Sequence, residues 1–137
     1  MKTRIITTVT LLLAVCTSCF IDNDYKSTGF YLVNNCNQTI EVTSSAMVHY
    51  SFGLVENSLV DNVPSGATLW LRTINLVEDF SMSSVFTRIE IRKGNQLSSF
   101  DVMNRDNWEK TLTSDDKDEY TLFVDSTFFN NGKEHIE

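Results

Sequence analysis

Three cysteines and two histidines are the side chains of this 137-residue chain best suited to covalent chemistry. Cys36 and His49 are the pair to weigh, because a thiol becomes a nucleophile when a neighbouring base lowers its pKa and is itself held in place. A hairpin joining residues 30–33 to residues 40–42 would put Cys36 in its turn and bring His49 onto the following strand. Nothing beside Cys36 supplies a cation or a Gly-rich elbow, since its neighbours are Val33-Asn34-Asn35 and Asn37-Gln38. Cys36 therefore reads as a small, partly buried turn residue, and His135 as part of a polar tail.

The carboxylates are more numerous but no better placed. Asp115-Asp116-Lys117-Asp118-Glu119 offers four of them to a hard cation. An EF-hand-type loop also needs alternating ligands, a Gly at its sixth position and a closing Glu. The run lacks these and reads as a solvated hairpin tip. The pairs Asp22/Asp24 and Glu78/Asp79 match glycosidase carboxylates in type alone, since that chemistry needs a fixed separation across a cleft. There is no His-Glu-x-x-His, no Gly-x-Ser-x-Gly and no phosphate-cradling Gly loop. No metal, cofactor or catalytic residue is expected, and a small hydrolase is the least favoured reading.

Aromatic side chains point instead to binding. Trp and Arg are enriched where proteins bury an interface, and an indole presents a flat face to a sugar ring. Trp70 has the opposite parity to Leu69 and Leu71, which predicts an outward face carrying Trp70 beside Arg72. Trp70, Arg72 and Trp108 are the candidate binding surface, for a protein or glycan ligand.

The elements that position these residues are strands, because the apolar pattern repeats every two residues and helical periodicity is nearly absent. Residues 30–33 are an aromatic and β-branched run, Ile40 and Val42 alternate with Thr39, Glu41 and Thr43, and the Asn-rich hairpin loop joins the two. Residues 47–55 alternate loosely, and 59–63 follow as a continuation or short edge strand. Val63-Pro64-Ser65-Gly66 is a type I turn, with Pro pre-setting its first central position and Gly closing it. Residues 67–74 form the next strand, with Arg72 outward. In 85–92, Val85, Thr87, Ile89 and Ile91 face in while Phe86, Arg88, Glu90 and Arg92 face out. Lys93-Gly94-Asn95 turns the chain into residues 96–103, and Trp108 sits in a loop. A last strand places Tyr120, Leu122 and Val124 inside. Seven to eight short strands predict an all-β, antiparallel β-sandwich of immunoglobulin-like or transthyretin-like architecture. Leu69, Leu71, Ile89, Ile91, Leu122 and Val124 are its expected core.

Ahead of the strands stands an export signal. Lys2 and Arg4 precede a mostly apolar stretch from Ile5 to Val15, then Cys16-Thr17-Ser18-Cys19. A charged start, about 7–15 apolar residues and a small residue at the cut describe a secretory signal. The stretch falls short of the ~20 apolar residues that span a bilayer. Ser18-Cys19 resembles the lipobox of bacterial lipoproteins, which implies cleavage before Cys19 and a lipid, palmitate included, on that thiol. Cleavage before Cys16 would put the larger Val15 at the cut. The acidic Asp22-Asn23-Asp24 behind Cys19 resembles the surface-export tag of Bacteroides-group lipoproteins, with a plain acidic linker as the alternative. The Pro-Ser-Gly turn, the Ile-Glu-Ile strand and the closing Tyr-Thr-Leu strand likewise resemble small lipoproteins of that group. Asp125-Ser126-Thr127 resembles their O-glycosylation sequence, with Ser126 as acceptor.

The domains expected are a signal at 1–18, a lipidated tether at 19–28, the sandwich at 29–129 and a polar tail at 130–137. Removing 18 of the 137 residues leaves 119, enough for one domain with a true core. The signal takes two cations and no acid, so the formal charge moves from −7 to −9. Such a charge argues against nucleic acid, whose affinity rests on cations meeting phosphates. The membrane, through the lipid, is the expected partner, at the outer membrane or cell surface. The function expected is non-enzymatic binding or a structural role there, with an inhibitor or immunity-type lipoprotein as the alternative. An acidic surface would serve either against a basic protein.

Overall fold

The computed structural model describes residues 25–130. The signal, Cys19, the pair Asp22/Asp24 and the tail after Asn130 lie outside the described residues. Eight strands form: β1 (Lys26–Asn34), β2 (Ile40–Tyr50), β3 (Gly53–Val63), β4 (Thr68–Leu76), β5 (Arg88–Lys93), β6 (Gln96–Leu97), β7 (Glu109–Thr113) and β8 (Lys117–Val124). They pair as two four-stranded sheets, β4-β1-β8-β7 and β3-β2-β5-β6, which make a β-sandwich. Every pairing is antiparallel except β1 with β8, which is parallel.

Strand parity builds the interior. Phe30 and Leu32 from β1, Val42 from β2, Ile89 and Ile91 from β5, and Leu122 and Val124 from β8 all turn inward and are buried. Phe30 is the hub, edge-on to Phe80, Phe86 and Trp108 at 5.6–5.8 Å and stacked on Tyr120 at 5.9 Å. Such pairs add to the apolar area already removed from water. Among the expected core residues, Leu71 is buried while Leu69 is half-buried at the sheet edge.

Several local expectations are corrected. The Asn-rich segment is no hairpin, because β1 and β2 lie in different sheets. It is a crossover, clasped by the buried Asn34 side chain. The Asn34 Nδ2 donates to the carbonyls of Gln38 and Val63, each at 2.9 Å, and the Cys36 N–H donates to Asn34 Oδ1 at 2.9 Å. Residues 47–55 are not a strand of their own. They hold the turn of one long β2–β3 hairpin, reversing at Ser51-Phe52, where Gly53 takes φ 134°.

In β4 the register slips by one residue, since Phe30 opposes Arg72 and Tyr31 opposes Trp70, leaving Leu71 as a bulge. A bulge inserts one residue and reverses the parity beyond it, so Arg72 joins the inward set instead of facing out. Strand β5 starts at Arg88, and the Val85-Phe86 segment before it folds over the core, burying Phe86 and leaving Thr87 exposed. Strand β6 has two residues, not eight, and β7 was not expected at all. Strand β1 begins at Lys26, so the tether expected through residue 28 gives up its last three residues to the sheet.

Candidate functional site

Strands β3 and β4 are the edge strands of the two sheets, joined by the Pro64-Ser65-Gly66 turn. Between them the sandwich gapes. A cleft of about 220 Å³ opens there, walled by Ser44, Ala46 and Val48 of β2, Asn57 and Leu59 of β3, and Trp70 to Thr73 of β4, with Phe86 also lining it. Ligand sites for drug-sized molecules run about 300–1,000 Å³. This cleft therefore suits one sugar ring or one side chain.

Its chemistry rests on Trp70 and Arg72, which line it from either side of the bulge at Leu71. Trp70 stays 58% exposed, with its Nε1 donating to Thr73 Oγ1 at 3.1 Å to set the indole's orientation. Arg72, half-buried, donates from Nη1 to the Val85 carbonyl at 2.7 Å. Burial pushes its guanidinium down from the ordinary arginine pKa, yet arginine stays charged in proteins. Arg88, Arg92 and Arg105 each have a carboxylate partner, at 3.4, 3.9 and 3.8 Å. Arg72 has none among the described residues, in a chain with 18 acidic residues and 11 basic ones. An unpaired guanidinium in a partly apolar cleft is a ready partner for a planar carboxylate, which it grips through two parallel N–H donors.

Trp108, the third expected binding residue, is corrected to a core residue. It is 5% exposed, stacks on Phe86 at 6.4 Å and satisfies its Nε1 on the Val102 carbonyl at 2.9 Å. Its ring packs edge-on to Phe30 at 5.8 Å as well as on Phe86, and a backbone acceptor lies within reach of its Nε1. Ser126 sits exposed at the start of the 3₁₀ turn Ser126–Phe129. Asp125 caps that turn by accepting from the Thr127 N–H at 2.8 Å.

The remaining candidates do not assemble. Cys36 is buried at the crossover, and burial pushes its thiol pKa up. His49 is exposed near the far end of β2, about 30 Å along the strand from Ile40 at roughly 3.4 Å per residue. Glu78 and Asp79 are exposed, Asp79 lying 3.8 Å from Arg105. Asp115 and Asp116 lie exposed in the β7–β8 turn, while Asp118 is buried within an ion-pair cluster. Among the described residues no group of three or more His, Cys, Asp or Glu gathers to hold a metal ion.

Sequence reasoning missed the apolar character of the β2–β3 hairpin. Seven of the thirteen large hydrophobic side chains that stay exposed among the described residues belong to it. The signal was present as an uncharged run from Val42 to Val55. No family model, no curated protein and no solved structure matches this chain.

Proposed function

We propose that this protein is a lipid-anchored β-sandwich of the bacterial outer membrane or cell surface, and that it binds an acidic sugar through the Trp70–Arg72 cleft without catalysing its conversion. The observation that carries this reading is the half-buried Arg72 guanidinium, unpaired among the described residues, beside an exposed indole. An arginine in that setting selects a carboxylate, and an indole offers its face to a sugar ring. The cleft volume fits one uronate ring. The lipobox-like Ser18-Cys19 supports the anchor, and the isolated Cys36 and His49 give no support to a hydrolase.

Calorimetry with a glucuronate-terminated oligosaccharide and its neutral glucose-terminated counterpart tests the reading. A charge-assisted hydrogen bond contributes roughly 1.5–3 kcal/mol, so the acidic ligand should bind at least about tenfold tighter. Arg72→Gln should abolish that preference and Trp70→Ala should weaken both ligands. Equal affinity for the two ligands would overturn it. The formal charge of −7 and the exposed β3 edge favour a second reading, neutralisation of a basic protein partner. Complex formation that weakens steeply with salt and ignores Arg72→Gln would support that one instead.

A further inference from the structure

The outer half of the β2–β3 hairpin is the part of the molecule its own core leaves unused. Pairing of β2 with β5 stops at Ser45, whereas β2 and β3 stay paired for five further rungs up to Tyr50 and Gly53. That overhang measures about 17 Å at 3.4 Å per residue. Residues 42–55 include no Asp, Glu, Lys or Arg in a chain that is 21% charged. At the apex Phe52 is 79% exposed and stacks on Tyr50 at 5.3 Å, while Leu54, paired with His49 on the opposite face, is 63% exposed. Exposed apolar surface of this kind marks a contact with another body.

Topology sets where the arm points. Strand β1 runs from Lys26 to Asn34, the clasp of Asn34 on Val63 closes that end, and β2 runs back. From the clasp, Lys26 lies eight residues along β1 and Tyr50 ten along β2. The arm therefore leaves the sandwich at the end where the chain arrives from its N-terminus, and reaches slightly beyond it. Cys19 stands seven residues before Lys26, at most about 25 Å of chain.

We infer that the hairpin tip, with Tyr50, Phe52 and Leu54, rests in the headgroup and upper acyl layer of the bilayer that carries the lipid on Cys19. The inference rests on the reading of Cys19 as lipidated. A bilayer suits the arm better than a second copy adding to β3, because strand addition covers an edge and leaves both apolar faces wet. Aromatic side chains settle at the membrane interface, and absence of charge lets the tip enter. The acidic β7–β8 turn emerges at the same end but on the edge of its sheet opposite β4, about 14 Å across at roughly 4.8 Å per strand. Repelled by anionic headgroups, it tilts the β3–β4 edge and its cleft towards the lipid. The acyl chains hold the protein, and the hairpin orients it.

The test uses the lipidated protein with Trp70→Phe as background, carrying in addition Phe52→Trp, or Asn37→Trp at the opposite end as control. Each is placed in phosphatidylethanolamine/phosphatidylglycerol vesicles with and without brominated chains, after palmitate labelling. Relative to the background protein, bromolipid should quench the tryptophan added at position 52 and spare the one at position 37. Labelled protein that floats with vesicles but shows no quenching at position 52 overturns the inference and leaves the anchor standing. The same result with disulfide-linked dimers of Phe52→Cys assigns the tip to a second copy and also overturns it. Protein that takes no label and does not float overturns the anchor, and the inference with it.

Discussion

Asp118 shows at the scale of one residue how this fold manages a charge that it buries. Its side chain is 7% exposed and meets Lys110 Nζ at 3.1 Å, Lys26 Nζ at 3.8 Å and the Thr113 hydroxyl, which donates at 2.8 Å. Burial alone would push the Asp118 carboxyl up. The Thr113 and Lys110 hydrogen bonds and the two ammonium charges outweigh it, and hold the carboxyl below the usual aspartate value. A carboxylate whose folded pKa is depressed contributes stability that is present above the unfolded value, near 3.9, and lost as pH falls through the folded value. Asp118→Asn should therefore lower stability by about 2 kcal/mol at pH 7. That deficit should shrink below about pH 4. Urea unfolding from pH 7 to pH 2 measures it, and a deficit that stays constant throughout would remove the ionic role. Sequence described Asp118 as one of several acids in a solvated tip. That holds for Asp115 and Asp116, but parity on β8 turns Asp118 towards Lys26, a contact across strands that no local pattern encodes.

At the scale of elements, two of the crossovers between sheets, β1 to β2 and β3 to β4, are locked to each other. Asn34 holds the first, and its backbone carbonyl accepts from the Gly66 N–H of the second at 2.7 Å, while Ser65 Oγ donates to the Cys36 carbonyl at 2.6 Å. Asn34→Ala removes the side-chain partners of Val63, Gln38 and Cys36. A buried backbone group left unpaired costs about 1–3 kcal/mol. The variant should lose about 3 kcal/mol in equilibrium unfolding while Asn35→Ala, whose side chain is exposed, should lose almost none. Equal losses would remove the clasp from the account. The strands themselves were legible because alternation is local: β1, β5 and β8 fall where Phe30, Ile89-Ile91 and Leu122-Val124 indicated. Their partners were not, since an Asn-rich turn reads alike whether it closes a hairpin or crosses between sheets. The bulge at Leu71 was invisible for the same reason. There the β1–β4 pairing shifts by one residue, and that shift turns Arg72 inward.

For the whole molecule, the sandwich was legible and the site was half legible. Trp70 and Arg72 stood out by type and spacing, whereas Trp108 misled because its segment carries no periodicity to show which way the ring turns. The proposed function ties location to recognition through an acidic domain, a hairpin tip without charge at the end where the chain enters β1, and a cleft beside that hairpin holding an arginine unpaired among the described residues. The most direct measurement follows the Arg72 Nε–Hε and Trp70 Nε1–Hε1 resonances of ¹⁵N-labelled protein as sodium glucuronate is added. The account predicts that both shift together and saturate, that Trp108 Nε1–Hε1 on its Val102 acceptor stays in place, and that in Arg72→Gln the Trp70 shift needs as much glucuronate as neutral glucose. An Arg72 resonance that does not move, or a Trp70 shift that saturates at the same concentration of neutral glucose as of glucuronate, would contradict it.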